Sequence, residues 1–262
     1  LAAEPPRLRA IGRDGATVPV VGLGTWLSFD LASGDPEALA RRREVLQAFV
    51  DGGGRLVDSS PMYGRSEATL GELLRELPAA TAATVYCATK VWTPLADYGP
   101  VQMRRSLALW GRPRGDLMQV HNLLAWQAHL PTLRRWRAEG RVRHLGITTS
   151  HGRQHDEVAE LLRREGHDLD VLQITYNPAD RRAEPLLQQA AARGLAVIAN
   201  RPFDGGAVLR RLGGVPLPSW AGELGCTAWA PLVLKWELAH PALACVIPAT
   251  TSPTVAIRQA TK

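Results

Sequence analysis

Short unbroken apolar runs recur along this chain, each ending on a polar residue and each followed by a longer stretch with apolar residues at helical spacing. The runs are RLVD ending at Asp58, TVYCATK at Lys90, DLMQVH at His121, RHLGIT at Thr148, DVLQ at Gln173, LAVIAN at Asn200 and LACVIPAT at Thr250. The first six ends lie 32, 31, 27, 25 and 27 residues apart, the repeat expected of consecutive strand–helix units. Continuous rather than alternating apolar residues predict strands buried on both faces, as in a parallel sheet. Between them, EATLGELLREL, LPTLRRWRAEG and AEPLLQQAAARG predict helices with one apolar stripe. An earlier run, VPVVGLGTW, supplies the eighth strand. Eight such units predict an α/β fold, a closed (β/α)8 TIM barrel with its active site at the C-terminal ends of the strands. An open doubly wound sheet is the competing arrangement.

Three predicted helices end on glycine, at Gly140, Gly166 and Gly194, with arginines just before each. Glycine there predicts a left-handed cap, and the arginines oppose the negative helix end. In a barrel these ends lie at the bottom, so much of the formal charge of +6 belongs away from the catalytic mouth. The basic run RRWRAEGRVRH therefore reads as a solvated helix end, and no nucleic-acid partner is expected. The 262 residues, 45% of them hydrophobic, suit one large domain spanning residues 1–262. No apolar run approaches the roughly 18 residues of a membrane span, so no membrane partner is expected. Cys87, Cys226 and Cys245 read as buried thiols rather than a disulfide framework.

Asp58, Lys90 and His121 close consecutive strands, and Tyr63 follows Asp58 in the loop VDSSPMYGRSE. Each alone has an ordinary explanation: a turn cap, a packed aromatic, a solvated lysine, a core histidine. Four titratable groups at successive strand ends instead predict a catalytic cluster. Their chemistry suits carbonyl reduction. Lys90 is expected to lower the pKa of Tyr63 and Asp58 to hold Lys90 charged. Tyr63 is then the proton donor, and His121 a hydrogen-bond donor to the same oxygen.

VVGLGTW, VDSSPMYGRSEATLG, CATKVW and DLMQVHN resemble successive signatures of the aldo-keto reductase superfamily. The resemblance implies a catalytic tetrad of Asp58, Tyr63, Lys90 and His121, and NADPH, with NADH possible, lying extended across the barrel top. By the same resemblance Thr148, Thr149 and Gln173 face the nicotinamide carboxamide. Asn200 and the RPFDGG loop, with Arg201, lie along the nicotinamide and pyrophosphate. Thr250, Thr251, Ser252 and Arg258 hold the adenosine end. Thr148-Thr149 stands where the family usually has Ser-Asn, and Asn200 where it has a stacking Tyr. No GxGxxG is present, so a Rossmann site is not expected.

Trp26 and Trp92, each just past a strand, are candidate walls of an apolar pocket. SSPMYG, QVHN and NRPF resemble a bacterial branch whose members often carry a twin-arginine export leader. Such a leader before Leu1 would take the protein to the periplasm; without one the cytoplasm is the default. The domain is expected to lack its native N-terminal start and its C-terminal helix and loop. A small-molecule carbonyl substrate and a monomer or weak homo-oligomer are expected. Two rival chemistries are weaker. His151 and His155 form an H-x3-H pair without a third ligand at sensible spacing, so no metal is expected, and no G-x-S-x-G elbow is present. A cofactor-sensing subunit of the same fold with little turnover is the alternative function.

Overall fold

A computed structural model describes residues 6–32, 34–253 and 255. The chain opens with a hairpin of β1 (Leu8–Ala10) and β2 (Thr17–Pro19), followed by β3 (Leu23–Gly24), α1 (Pro36–Asp51), β4 (Leu56–Asp58), α2 (Ser66–Glu76) and α3 (Ala79–Thr84). It continues through β5 (Tyr86–Val91), α4 (Gly99–Leu109), β6 (Gly115–His121), α5 (Trp126–Ala138), β7 (Val142–Thr148) and α6 (His155–Glu165). Then come β8 (Val171–Thr175), α7 (Glu184–Ala191), β9 (Ala196–Asn200), α8 (Ala207–Leu212), a short 3-10 turn, α9 (Trp229–Leu238) and β10 (Leu243–Val246).

Strands β3 to β10 pair in sequence order as one parallel sheet. The sheet closes on itself. The Gly22 N–H donates to Val246 O at 2.8 Å, the Val246 N–H to Val20 O at 2.9 Å and the Gly24 N–H to Pro248 O at 2.9 Å. Closure decides for the (β/α)8 barrel over the open sheet, because an open sheet would leave these edge groups unpaired. Register then puts Lys90 beside Gln119, His121 beside Thr148, and Thr148 beside Gln173.

The apolar runs bury as the pattern predicts. One cluster joins hairpin residues Ile11 and Val18 to Leu56, Leu117, Val171, Ile198 and Cys245, one side chain from each of five strands. It plugs the N-terminal end of the barrel. Two larger clusters lie between the sheet and the surrounding helices. All three cysteines are buried and free. Burial pushes the Cys87 thiol up to about 12, which leaves it protonated and unreactive.

Several boundaries differ from the expectation. The run VPVVGLGTW divides: Thr17–Pro19 pairs with β1, and only Leu23–Gly24 joins the barrel as a strand. β10 ends at Val246, four residues before Thr250, since Pro248 has no N–H to continue the ladder. β8 runs two residues past Gln173, to Thr175. Gly140 and Gly194 are left-handed as expected, but Gly166 has φ −65°. Its reason is space, because a Cβ there would lie 2.4 Å from Leu162 O. The basic run stays partly exposed, as expected, but most of its arginines are paired at the surface. Arg134 bridges Glu165 and Asp168, Arg137 reaches Asp170, Arg143 pairs with Asp14, and Arg141 lies 3.9 Å over the Trp136 ring.

The hairpin is latched to the barrel floor. Tyr86 Oη meets His144 Nδ1 at 2.7 Å, and His144 Nε2 meets Asp14 Oδ1 at 3.0 Å. Gly12 makes this possible, with φ +75° and the His144 ring so close that a Cβ would lie 2.4 Å from it. Gly15 has φ +80° but open space around it. Gly15→Ala is therefore expected to cost about 1 kcal/mol from the left-handed backbone alone. Gly12→Ala adds a steric clash and is expected to cost about 1–3 kcal/mol more. Urea melts of the two variants check the difference.

Candidate active site

The tetrad forms at the C-terminal ends of β4, β5 and β6. Lys90 and Asp58 project inward and meet at 2.7 Å, with side-chain exposures of 0% and 2%. The Lys90 ammonium also donates to Ser59 O at 2.6 Å. Burial pulls its pKa down, and the Asp58 carboxylate opposes that fall. The other carboxylate oxygen, Oδ1, accepts from Gln173 Nε2 at 2.9 Å, with Gln119 Nε2 at 3.5 Å.

Tyr63 rides on a loop fixed from several sides. Asp30 accepts the Arg65 N–H at 2.8 Å, and Gly64, at φ +57°, leaves room for that carboxylate. Thr25 Oγ1 lies 2.9 Å from both Asp58 O and Ser59 Oγ. Behind the loop, the buried Glu67 carboxylate accepts from Thr89 at 2.5 Å and from Ser106 at 3.0 Å. The Tyr63 ring stands edge-on to His121 with centroids 5.7 Å apart, and the Lys90 ammonium lies 4.9 Å from the Tyr63 centroid.

Ser60 orders the histidine. Its Oγ accepts the Met62 N–H at 3.1 Å and lies 2.8 Å from His121 Nδ1. A hydroxyl can either donate to Nδ1, which puts the imidazole proton on Nε2, or accept from Nδ1–H. Burial, with Lys90 adding to it, holds the His121 pKa down to about 2. His121 is thus neutral. The expected lowering of the Tyr63 pKa by Lys90 is not what this environment does. Burial first, and then Asp58, push the phenol well above its usual value. The reason is that the Lys90 charge is already neutralised by Asp58, so desolvation of the phenolate dominates.

The residues assigned to the cofactor also gather at this face. Thr148 Oγ1 donates to Gln173 Oε1 at 2.9 Å, so these two are tied to each other and, through Gln173, to Asp58. Thr149 Oγ1 is buried with no hydrogen-bond partner. Asn200 Nδ2 donates to Thr149 O at 2.8 Å, and its Oδ1 accepts from Thr175 at 2.6 Å. Arg201 pairs with Asp204 at 2.9 Å and lies 5.7 Å over the Trp26 ring, while its Nε is buried without a partner. Thr250 and Ser252 form a local turn through Thr250 Oγ1, which accepts the Ser252 N–H at 3.1 Å. Thr251 is exposed beside them. Arg258 lies outside the described residues.

Trp26 and Trp92 both stand partly exposed past their strands. His151 Nδ1 lies 2.9 Å from Ser150 Oγ, and its ring meets the Trp26 edge at 6.3 Å. Among the described residues no group of three or more His, Cys, Asp or Glu side chains could hold a metal ion, and no helix is long and apolar enough to cross a membrane.

A further mark of this face escaped the sequence. The eight described non-glycine residues with positive φ are Leu27 after β3, Asn122, Leu123 and Ala125 after β6, His151 and Gln154 after β7, and Arg201 and Asp204 after β9. Such strain gathers where a site demands a backbone shape. Ser60, Gln119 and Glu67 were also missed. Gln119 had a signal, standing two residues before His121 and therefore on the same inward face.

The aldo/keto reductase family model matches residues 20–256. The chain belongs to the aldo/keto reductase family. Membership places it among the oxidoreductases. Its fold matches the aldo/keto reductase from Klebsiella pneumoniae solved with NADP and acetate, with 27% identity, a TM-score of 0.78, and coverage of 97% of this chain and 89% of that one. A Klebsiella pneumoniae relative solved with NADPH has 24% identity and a TM-score of 0.76, over 99% of this chain and 89% of that one. The Bombyx mori aldo-keto reductase solved with NADP shares 22% identity and a TM-score of 0.76, over 98% and 88%. Pyridoxal 4-dehydrogenase of Microbacterium luteolum is 46% identical over 72 residues, which is 27% of this chain and 20% of that protein. The match thus spans about a fifth of that curated relative.

The neutral state of His121 has a measurable consequence. The unfolded histidine takes up a proton below about pH 6.5, whereas the folded one does so only near pH 2. Unfolding therefore binds a proton in that window, and stability falls as pH drops through it, by at most about 1.4 kcal/mol per pH unit. Urea melts between pH 7 and pH 4 are expected to show a shallower acid slope for His121→Gln than for the wild type.

Proposed function

We propose that this chain reduces aldehyde or ketone carbonyls to alcohols with NADPH, Tyr63 giving the proton. The observation that carries the reading is the Tyr63 phenol and the neutral His121 imidazole standing together beside the buried Lys90–Asp58 ion pair. Two such groups suit one carbonyl oxygen as negative charge develops on it.

The site fits the cofactor. The unpartnered, buried Thr149 hydroxyl and Arg201 Nε are polar groups that lack only a ligand to satisfy them. Thr149, with Thr148 and Gln173 beside it, would hold the carboxamide. Asn200 and Arg201 would lie along the nicotinamide and pyrophosphate, and Thr250, Thr251, Ser252 and Arg258 at the adenosine end. The solved relatives bound to NADP or NADPH support this choice, and NADH is the second candidate. When bound, the reduced nicotinamide supplies a hydride to the carbonyl carbon. Tyr63, kept protonated by its burial, passes its proton to the carbonyl oxygen, and the Lys90 ammonium, 4.9 Å from the Tyr63 ring centroid, stabilises the phenolate left behind. Asp58 holds that ammonium in place. His121 orients the oxygen through Nε2–H. Trp26 and Trp92 would wall the substrate. A cofactor sensor with little turnover needs no proton donor, so the four-residue site favours the enzyme.

The first test is NADPH fluorescence on titration with the protein, followed by its absorbance decay with aromatic and aliphatic aldehydes. Pyridoxal joins the panel, assayed also in the oxidative direction, because the partial relative is a pyridoxal dehydrogenase. Tyr63→Phe is expected to lower kcat by about 10²–10⁴-fold while NADPH affinity is unchanged. Equal loss of both would contradict the proton-donor role. Lys90→Met is expected to abolish turnover as well, with circular dichroism confirming that the variant folds.

A further inference from the structure

Past Val91 the fifth strand loses its neighbour. The pairing of β5 with β6 ends at Val91 and Val120, so the peptide of Trp92 has no strand to bond. A side chain takes the strand's place. Gln102, one turn into α4, accepts the Trp92 N–H on Oε1 at 2.6 Å and donates from Nε2 to Trp92 O at 2.9 Å. A primary amide presents an acceptor and a donor side by side, as a neighbouring peptide would. The next peptide is held from α5, where the buried His129 donates from Nε2 to Thr93 O at 2.8 Å. A carbonyl only accepts, so Nε2 carries the proton. Gly99 leaves the room for this ring, since a Cβ there would lie 2.7 Å from His129 Nδ1.

Alternation tells what the clamp holds. Lys90 points into the barrel and Val91 outward into the helix layer, so Trp92 turns back toward the mouth. Its indole is 39% exposed, and no hydrogen bond fixes it among the described residues. The direction in which its side chain leaves the backbone is set by the two peptides that Gln102 and His129 hold.

We propose that Gln102 and His129 are positioning residues that fix the Trp92 indole as a substrate wall, and so favour planar aromatic carbonyls over small aliphatic ones. The proposal rests on the reductase reading and deepens it. A flat ring gains from stacking on a fixed indole; a short aliphatic chain covers too little of it to depend on its angle.

Gln102→Leu removes both bonds at similar volume. With benzaldehyde, kcat/KM is expected to fall about tenfold through KM. With propanal it is expected to hold within about twofold, and NADPH affinity is unchanged. In a Trp92→Ala background, Gln102→Leu is expected to have no further effect on benzaldehyde, because the group it positions is gone. Equal losses for the two aldehydes, or a loss that persists without Trp92, overturns the proposal. Gln102→Glu keeps the acceptor for the Trp92 N–H and loses the donor to Trp92 O; it is expected to fall between wild type and Gln102→Leu, and it serves if the leucine variant does not fold. If the wild type reduces neither aldehyde, the reductase reading fails by itself and amide exchange decides the clamp. The Trp92 N–H is expected to exchange at least about tenfold faster in Gln102→Leu, and unchanged exchange overturns the proposal.

Discussion

A lysine ammonium and an aspartate carboxylate meet at 2.7 Å inside the barrel with almost no solvent contact, and the site is built around that pair. Taking either charge out of water costs several kcal/mol, and leaving one partner alone would cost about 3–5 kcal/mol. Such a pair is tolerated only when its remaining hydrogen-bonding capacity is filled. Ser59 O takes one ammonium proton, and Gln173 fills the free oxygen of Asp58 from the far side of the barrel. Strands β4, β5 and β8 thus contribute to one cluster, which a closed sheet can do and a flat one cannot. The demand also explains why Gln173 is tied to Asp58 and Thr148, leaving Thr149 as the free polar group among the three residues assigned to the carboxamide.

The same pair sets the proton chemistry. Its positive end faces His121 and adds to burial in keeping the imidazole neutral; its negative end adds to burial in keeping the Tyr63 phenol protonated. The result is a resting site with two neutral side chains and a compact internal salt. Catalytic power in such an arrangement comes from preorganisation: the charges are in place before the reaction and need not reorient. On the proposed reading Tyr63 needs no low resting pKa, because the Lys90 ammonium lies close by to stabilise a phenolate as it forms.

Outside the barrel wall, helices α2 and α4 take up the polar groups that the sheet leaves open. Glu67 binds Thr89 and Ser106, while Gln102 adds a side-chain rung to β5. Gln102 and Ser106 stand four residues apart and so share one face of α4. The residues flanking Lys90, Thr89 before it and Trp92 after it, are therefore both held from the same helix layer. Two clefts flank the tetrad rather than contain it. One of about 320 Å³ lies between α2 and α4, and one of about 420 Å³ lies beside His151, Asp180 and Asp204.

The order of strands and helices, and the gathering of Asp58, Tyr63, Lys90 and His121 at one face, were legible in the chain because a parallel barrel imposes a period on its apolar runs and brings their ends together. The hairpin under the barrel was not legible. Thr17–Pro19 has the same apolar character as a barrel strand, and only pairing decides its neighbour. Ser60 and Gln102 were illegible for a similar reason: a serine or glutamine carries no mark of which distant peptide or ring it will bond. The charge states of His121 and Tyr63 lay further still from the sequence. They depend on how completely water is excluded and on which way the Lys90–Asp58 pair points, and both are properties of the closed barrel. The sequence by itself determined which groups reach the mouth; the tertiary structure decided their protonation and partners, because desolvation and hydrogen bonding exist only once the strands have closed around them.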